Sequence, residues 1–115
     1  MHPIPKKLLI HAVTLSKVES KDRWGKETEG EGMELKYVRM EPSGKVVRDK
    51  NNAEVQLSAV LFYDCKNSSP KGIQFCEDDK ITFNGQKHRI QTIEPLYDRK
   101  KLHHYEIGVI KDAKG

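Results

Sequence analysis

The chain has 115 residues, of which 36% are hydrophobic and 33% charged, and its net charge is +4. This composition supports one compact core but not two, so a single domain over residues 1–115 is expected, with neither a membrane span nor a signal peptide. Dedicated nucleic-acid binders concentrate far more positive charge on one face, which argues against an autonomous protein of that class.

Alternating apolar and polar residues predict strands along much of the chain. These strands are expected at residues 8–15, 34–37, 55–63, 80–83, 86–93 and 104–109. The second half of the 55–63 strand is apolar on both faces, so it is predicted to be central or to cover an interface. No stretch carries the i, i+3, i+4, i+7 repeat of an amphipathic helix, and helix is expected to be a minor component at most.

Turn residues connect the predicted strands. Asn84-Gly85 supplies the two positive-φ residues of a type I′ turn and predicts a hairpin of residues 80–83 with 86–93. Pro95 is expected to end that hairpin, because proline donates no ladder hydrogen bond. A second turn is predicted over residues 41–45. The sequence thus predicts an all-β fold, a small, mostly antiparallel β-barrel or sandwich of about six to seven strands.

Two polar segments are the candidates for function. Residues 19–32 contain three glycines and eight charges and are predicted to form one long loop. Trp24, within it, either tucks back onto the barrel or anchors a partner contact. Arg99, Lys100 and Lys101 are predicted to lie at the tip between the last two strands, where they could meet phosphates. A solvated hairpin tip that keeps an edge soluble is the alternative.

Nothing in the sequence assembles a catalytic site. The two cysteines, Cys65 and Cys76, are expected to be free, partly buried thiols in a reducing cytosol. A zinc site that adds His88, His103 and His104 is the alternative, although the chain lacks a close C-x2-C pair. There is neither a phosphate-binding glycine loop nor a nucleophile elbow. We therefore expect no cofactor and no enzymatic activity.

Short stretches spread over nearly the whole chain resemble a family of small minor capsid or head–tail joining proteins from tailed phages and prophages of Gram-positive bacteria. Each stretch is an ordinary strand or turn, and their order and spacing carry the resemblance. They are Lys7-Leu8-Leu9-Ile10-His11, Asp22-Arg23-Trp24-Gly25, Val60-Leu61-Phe62-Tyr63, Lys66-Asn67-Ser68-Ser69-Pro70, Phe83-Asn84-Gly85, Ile93-Glu94-Pro95-Leu96-Tyr97 and His104-Tyr105-Glu106-Ile107.

This resemblance implies a structural role with no catalytic residues. Similar proteins are stopper or head-completion proteins, small β-barrels with a long loop, which form a ring beneath the portal around the DNA exit channel. The implied partners are the portal or adaptor ring, tail components and copies of the chain itself, with non-specific contact to packaged DNA. The implied location is the head–tail interface of the virion, after synthesis in the cytoplasm of the bacterial host.

The resemblance and the residues together suggest a mechanical and electrostatic role. The loop with Trp24 would reach the adjacent ring or the channel, and Arg99, Lys100 and Lys101 would face DNA or an acidic portal surface. The alternative is a small β-barrel that binds single-stranded nucleic acid, which would need exposed aromatic residues on its strands. Phe62, Tyr63, Phe83 and Tyr105 instead mostly fall at positions that are expected to be buried.

Overall fold

A computed structural model of the chain describes residues 2–112. These residues form ten strands and one 3₁₀ turn at Lys6–Leu8, and they contain no α-helix. The strands are β1 (His11–Ser16), β2 (Val18–Lys21), β3 (Glu27–Glu29), β4 (Met33–Pro42), β5 (Val46–Arg48), β6 (Glu54–Gln56), β7 (Ala59–Asp64), β8 (Lys80–Phe83), β9 (Gln86–Asp98) and β10 (Lys101–Lys111). No helix in this part of the chain is long and apolar enough to cross a membrane.

Six of the strands form one antiparallel sheet that closes on itself as a barrel. The order is β1-β4-β7-β10-β9-β8, and β1 completes the circle by pairing with both β4 and β8. The other four strands form two small ribbons, β2–β3 and β5–β6. The predicted all-β, mostly antiparallel fold is confirmed. The β7 strand, predicted to be central or to cover an interface, pairs on both sides, with β4 and β10.

The barrel interior is filled by apolar side chains from alternate strand positions. Phe75, from the segment between β7 and β8, packs edge-to-face on Tyr63 and Tyr105 with ring centroids 5.3 and 5.4 Å apart. The buried core consists of Val13, Leu15, Leu35, Val38, Met40, Ala59, Leu61, Tyr63, Phe75, Ile81, Ile90, Ile107 and Val109. Burial of this apolar surface is the main stabilising contribution to the fold.

The β8–β9 hairpin forms as its turn residues predict. Asn84 and Gly85 have φ values of 50° and 77°, the two left-handed positions that a type I′ turn requires. The β9 strand nevertheless continues to Asp98, so the prediction that Pro95 ends it is wrong. Pairing of β9 with β8 stops at Arg89, and beyond it β9 pairs only with β10. Proline is tolerated there because this edge of β9 needs no N–H donor.

Two predicted strands are interrupted by local irregularities. In β4 the predicted alternation of Leu35 and Tyr37 fails, because Tyr37 has a φ of 57° and lies at a break in the β1–β4 register. Tyr37 is therefore exposed while Val38 is buried, as expected of a β-bulge. The predicted 55–63 strand is divided between β6 and β7, because Leu57 N–H donates to Lys45 O outside the barrel sheet.

Residues 19–32, predicted as one long loop, fold largely as the β2–β3 ribbon. The turn of the ribbon is fixed by the Asp22 carboxylate, which accepts the N–H groups of Trp24 and Lys26 at 2.9 and 2.8 Å. The ribbon has few apolar residues, so its strands lack the hydrophobic alternation by which a half-buried strand is recognised. Backbone pairing and ion pairs hold it instead, which explains why the prediction of a loop was wrong.

Candidate functional site

The predicted basic tip, Arg99, Lys100 and Lys101, lies where the structure turns from β9 to β10. Arg99 has a φ of 57°, and all three side chains are exposed. Their position at the tip between the last two strands is confirmed. A tight turn at the end of two long paired strands presents its charges well away from the barrel core.

Two further lysines, which the sequence analysis did not single out, extend the basic tip. Lys66 and Lys71 line, together with Lys101, a surface cavity of about 560 Å³. The loop that carries them follows β7, and β7 pairs with the start of β10, so folding brings the loop beside the tip. We call the group of Lys66, Lys71 and the basic tip the basic end of the molecule. Only the pairing of distant strands reveals it, since the two parts are some 30 residues apart in sequence.

A histidine pair lies next to the basic end. The Nδ1 atoms of His103 and His104 are 2.7 Å apart, while His103 Nε2 contacts His2 O at 2.6 Å and His104 Nε2 contacts Glu106 Oε2 at 2.9 Å. These contacts link the N-terminal segment to the start of β10 beside the basic end.

The residues of the predicted zinc alternative do not converge. His88 is buried with its Nδ1 3.2 Å from Ile81 O, whereas His103 contacts His104 at the start of β10. Cys65 and Cys76 are both free thiols, the first half-buried and the second exposed. Burial raises the pKa of the Cys65 thiol, which disfavours its reactive thiolate form. Within residues 2–112, no group of three or more potential ligand side chains is placed to hold a metal ion.

Trp24 lies at the turn of the β2–β3 ribbon and does not tuck back onto the barrel. Its side chain is 76% exposed, and the Arg23 guanidinium stacks 4.2 Å from its ring centroid. Of the strand aromatics considered in the sequence, Tyr63 is buried and Phe62, Phe83 and Tyr105 are half-buried. Two other tyrosines, Tyr37 in β4 and Tyr97 in β9, are exposed, but they lie on strands that are not neighbours in the barrel. Base stacking needs open aromatic faces along a binding surface, so the geometry does not support the alternative of a single-stranded nucleic-acid binder.

The structure separates the two groups of candidate residues. Trp24 lines a cavity with Lys87 and Arg89, near the beginning of β9, whereas the basic tip follows the end of β9. Ten residues of extended chain between Arg89 and Arg99 span about 30 Å. Trp24 and the basic tip therefore belong to different surfaces, and one small ligand cannot contact both.

A buried lysine anchors the ribbon to the barrel. The Lys80 side chain is 1% exposed, and its Nζ lies 2.9 Å from Glu27 Oε1 and 2.9 Å from Asp112 Oδ2. A second, more exposed ion pair joins Lys87 to Glu29 at 2.9 Å. Glu27 and Glu29 belong to β3, while the two lysines belong to β8 and β9. The ribbon is thus held on the outer face of β8 and β9 mainly by charge.

The pKa values of Glu27 and Lys80, the two principal groups of this contact, are both shifted. The hydrogen bond from Lys80 lowers the pKa of Glu27 below its ordinary 4.5. Burial alone would lower the pKa of Lys80, but its hydrogen bonds to Glu27 and Asp112 outweigh burial and raise the pKa above 10.5. Glu27 therefore contributes stability above pH 4.5 that is lost as pH falls through its folded pKa. Lys80 contributes stability below pH 10.5 that is lost as pH rises through its folded pKa.

We expect the ribbon to stay docked between these limits and to release only below pH 4.5, once Glu27 takes up a proton. Amide hydrogen exchange of β3, followed against pH, measures the release. The Glu27→Gln variant is the control, since it lacks the titrating carboxylate and should lose the acid-dependent part of the exchange profile. An unchanged profile in that variant, or release near neutral pH, would contradict the assignment.

Comparison with known proteins identifies the family to which the chain belongs. Comparison with curated proteins gives no match. Residues 5–109 match the model of a family described as Minor capsid protein. This match spans β1 through most of β10 and thus the whole barrel sheet, so it bears out the coarser part of the resemblance, a structural protein of the phage virion. The chain therefore belongs to the minor capsid protein family.

Proposed function

We propose that this minor capsid protein is a head–tail connector subunit of stopper type, from a tailed phage or prophage of a Gram-positive host. Copies would form a ring between the portal or adaptor ring and the tail, join the two, and help to retain packaged DNA. The observation that carries the proposal is the basic end. Three of its cations line one cavity, alongside Asp64 and Asp98, and the other two form the adjoining hairpin tip. A basic surface of this kind suits contact with a polyanion or an acidic partner.

A ring would repeat a basic surface whose affinity for DNA is weak in a single copy. DNA carries one negative charge per about 1.7 Å of helix axis. Each phosphate contact makes the slope of log K for binding against log salt concentration more negative by about 0.9. A few contacts per subunit, repeated around a channel, would give a strong but sequence-independent attraction. The modest net charge of +4 suits this role, because an isolated subunit would not bind nucleic acid tightly in the cytoplasm.

Alanine at Arg99, Lys100 and Lys101 should leave the fold intact, since the tip is exposed, and should impair retention of DNA. We expect fewer DNA-filled particles and a faster loss of packaged DNA as the salt concentration rises. The measurements are particle yield and the nuclease-protected DNA per particle at several ionic strengths.

The matched control removes three positive charges from the β5–β6 ribbon, by alanine at Lys45, Arg48 and Lys50. Each of these residues already pairs with a carboxylate, at 3.8, 3.4 and 3.8 Å respectively. The control variant should retain DNA as the wild type does. Normal DNA retention in the tip variant, or equal loss in both variants, would remove the electrostatic role of the tip.

A further inference from the structure

An apolar groove lies on the outer face of the barrel where β4 adjoins β7. Its walls are Ile4, Leu8, Leu9 and Phe62, with Arg39 and Glu41 at the rim, and its volume is about 340 Å³. Leu8 is 46% exposed, and Phe62 is half-buried on the face of β7 that points away from the core. The sequence predicts that this half of the strand, apolar on both faces, is central or covers an interface. An apolar recess with a charged rim is typical of a protein–protein contact site.

The groove is preformed in the single subunit. Arg39 Nη1 donates to Leu8 O at 3.1 Å and thereby holds the 3₁₀ turn against β4. Arg39 Nε also pairs with Glu41 Oε1 at 2.5 Å, which fixes the guanidinium at the rim. On the other wall, Ile4 N–H donates to the buried Asp64 carboxylate at 2.9 Å. A partner would therefore find the walls in place, which lowers the entropic cost of binding.

Trp24 is an exposed side chain that is apolar, like the walls of the groove. It is the most exposed of the large hydrophobic side chains in the described part of the chain, and the groove is large enough for one indole. Its backbone is fixed by the Asp22 carboxylate, and its ring is stacked by Arg23. An immobilised, exposed tryptophan ringed by polar residues has the pattern of an interface hot spot.

The groove and Trp24 lie on opposite sides of the barrel. In the closed order β1-β4-β7-β10-β9-β8, the groove occupies the adjacent pair β4 and β7. The ribbon that carries Trp24 docks on the adjacent pair β8 and β9, through Glu27–Lys80 and Glu29–Lys87. The two pairs are separated by β1 on one side of the barrel and by β10 on the other. Two complementary surfaces on opposite flanks permit a head-to-tail contact, which closes into a ring when the rotation allows it.

The charges around the two surfaces differ. The turn that carries Trp24 also presents Lys21, Arg23 and Lys26, whereas the carboxylate of Asp22 is occupied by amides of the turn itself. On the groove side, Glu106 lies directly across from Phe62 in the β7–β10 register, and Glu41 lies at the rim.

The cations on the groove side are largely engaged. Arg39 is bound to Glu41 and to Leu8 O, and Lys6 stacks 4.6 Å from the Tyr37 ring centroid, which leaves Lys7 as the exposed cation of the 3₁₀ turn. The carboxylates are engaged as well, Glu41 by Arg39 and Glu106 by His104. The groove rim therefore carries no cluster of unpaired cations that would repel the cationic turn of a neighbour.

We propose that copies of this chain associate head to tail, with Trp24 of one copy seated in the groove of the next. The inference rests on the ring in the proposed function and names the surfaces that would build it. It requires neither the portal nor DNA, because both surfaces are complete within the chain.

Trp24 is the only tryptophan, so its fluorescence reports the contact directly. Raising the concentration of the full chain into the millimolar range should shift Trp24 emission to the blue and increase the sedimentation coefficient. Leu8→Lys should block the groove and weaken self-association at least about 30-fold, the effect of losing a hot-spot contact. Ile10→Lys is the matched control, since Ile10 is an exposed apolar residue outside the groove, and it should associate normally.

Complementation distinguishes a head-to-tail contact from a symmetric one. Trp24→Ser keeps the groove and lacks the tryptophan, whereas Leu8→Lys keeps Trp24 and lacks the groove. Neither variant should self-associate, but a mixture should form a 1:1 dimer and nothing larger. Titrating Leu8→Lys with the tryptophan-free Trp24→Ser chain should then shift the emission of Trp24 to the blue.

Three results would overturn the inference: a wild-type chain that stays monomeric at millimolar concentration, self-association of Leu8→Lys like that of the wild type, or a mixture that forms no dimer. The connector role is tested separately by capture on assembled portal complexes. Capture of a chain that fails the tests above would leave the connector proposal standing. Normal self-association without capture would overturn the connector proposal, but the proposed contact between copies would stand.

Discussion

Replacing Lys80 with methionine should lower the free energy of unfolding by about 3–5 kcal/mol, the usual loss when one partner of a buried ion pair is removed. Lys80 is 1% exposed, and the carboxylates of Glu27 and Asp112 that it contacts are 14% and 8% exposed. Without the ammonium group, two largely desolvated carboxylates would face each other across an apolar side chain. Chemical denaturation of the wild type and the variant gives the difference directly.

Lys87→Met is the matched control. It removes the same charge from the same surface, but the Lys87–Glu29 pair is about one-third exposed, so the expected loss is at most about 1 kcal/mol. Adding Glu27→Gln to Lys80→Met should recover part of the stability, because it removes the negative charge of Glu27 that Lys80 no longer neutralises. Equal losses for Lys80→Met and Lys87→Met would show that burial of Lys80 has no energetic consequence.

The Lys80 contact also determines where Trp24 lies. Glu27 is in β3, directly after the turn that carries Trp24, so the ion pair sets the position of that turn against β8. Lys80→Met should therefore increase hydrogen exchange in β2 and β3 more than in the barrel core. It should also weaken any contact that depends on Trp24, even though Lys80 itself is not exposed to a partner.

Sequence reasoning succeeded where the determining interactions are local. Asn84 and Gly85 set the β8–β9 turn by their own backbone preferences. The short apolar run that ends in Leu61-Phe62-Tyr63 indicated β7, because a strand that is covered on both faces is apolar at successive positions. The tip at Arg99 was located in the same way, as a polar interval between two alternating segments.

Sequence reasoning failed where residues distant in the chain decide the structure. The ribbon contains few apolar residues, and its ion pairs join positions more than 50 residues apart, such as Glu27 and Lys80. Lys66 and Lys71 reach the basic tip only because β7 pairs with β10. Pro95 lies within a strand because β8 has already ended. No local pattern reveals any of these facts, since each depends on which strands become neighbours.

Replacing Asp64 with alanine should lower the free energy of unfolding by roughly 3 kcal/mol, because three backbone donors would lose a charged acceptor. Asp64 is fully buried. Its Oδ1 accepts Ile4 N–H at 2.9 Å, and its Oδ2 accepts the N–H groups of Lys66 and Asn67 at 3.1 and 2.8 Å. The carboxylate thus ties the N-terminal segment to the loop after β7. Denaturation measures the loss, and hydrogen exchange should rise at Ile4 and Asn67.

Asp64→Asn is the conservative comparison. One carbonyl oxygen remains, so asparagine can satisfy either Ile4 or the loop but not both, and the expected loss is about half that of alanine. Because Ile4 also forms a wall of the groove, Asp64→Ala should weaken self-association as well, whereas an exposed substitution such as Ile10→Lys should not. An alanine variant that loses less than about 1 kcal/mol would show that water replaces the carboxylate without cost. The N-terminal segment would then be held by its apolar contacts and by its hydrogen bonds with Asn67 and His103.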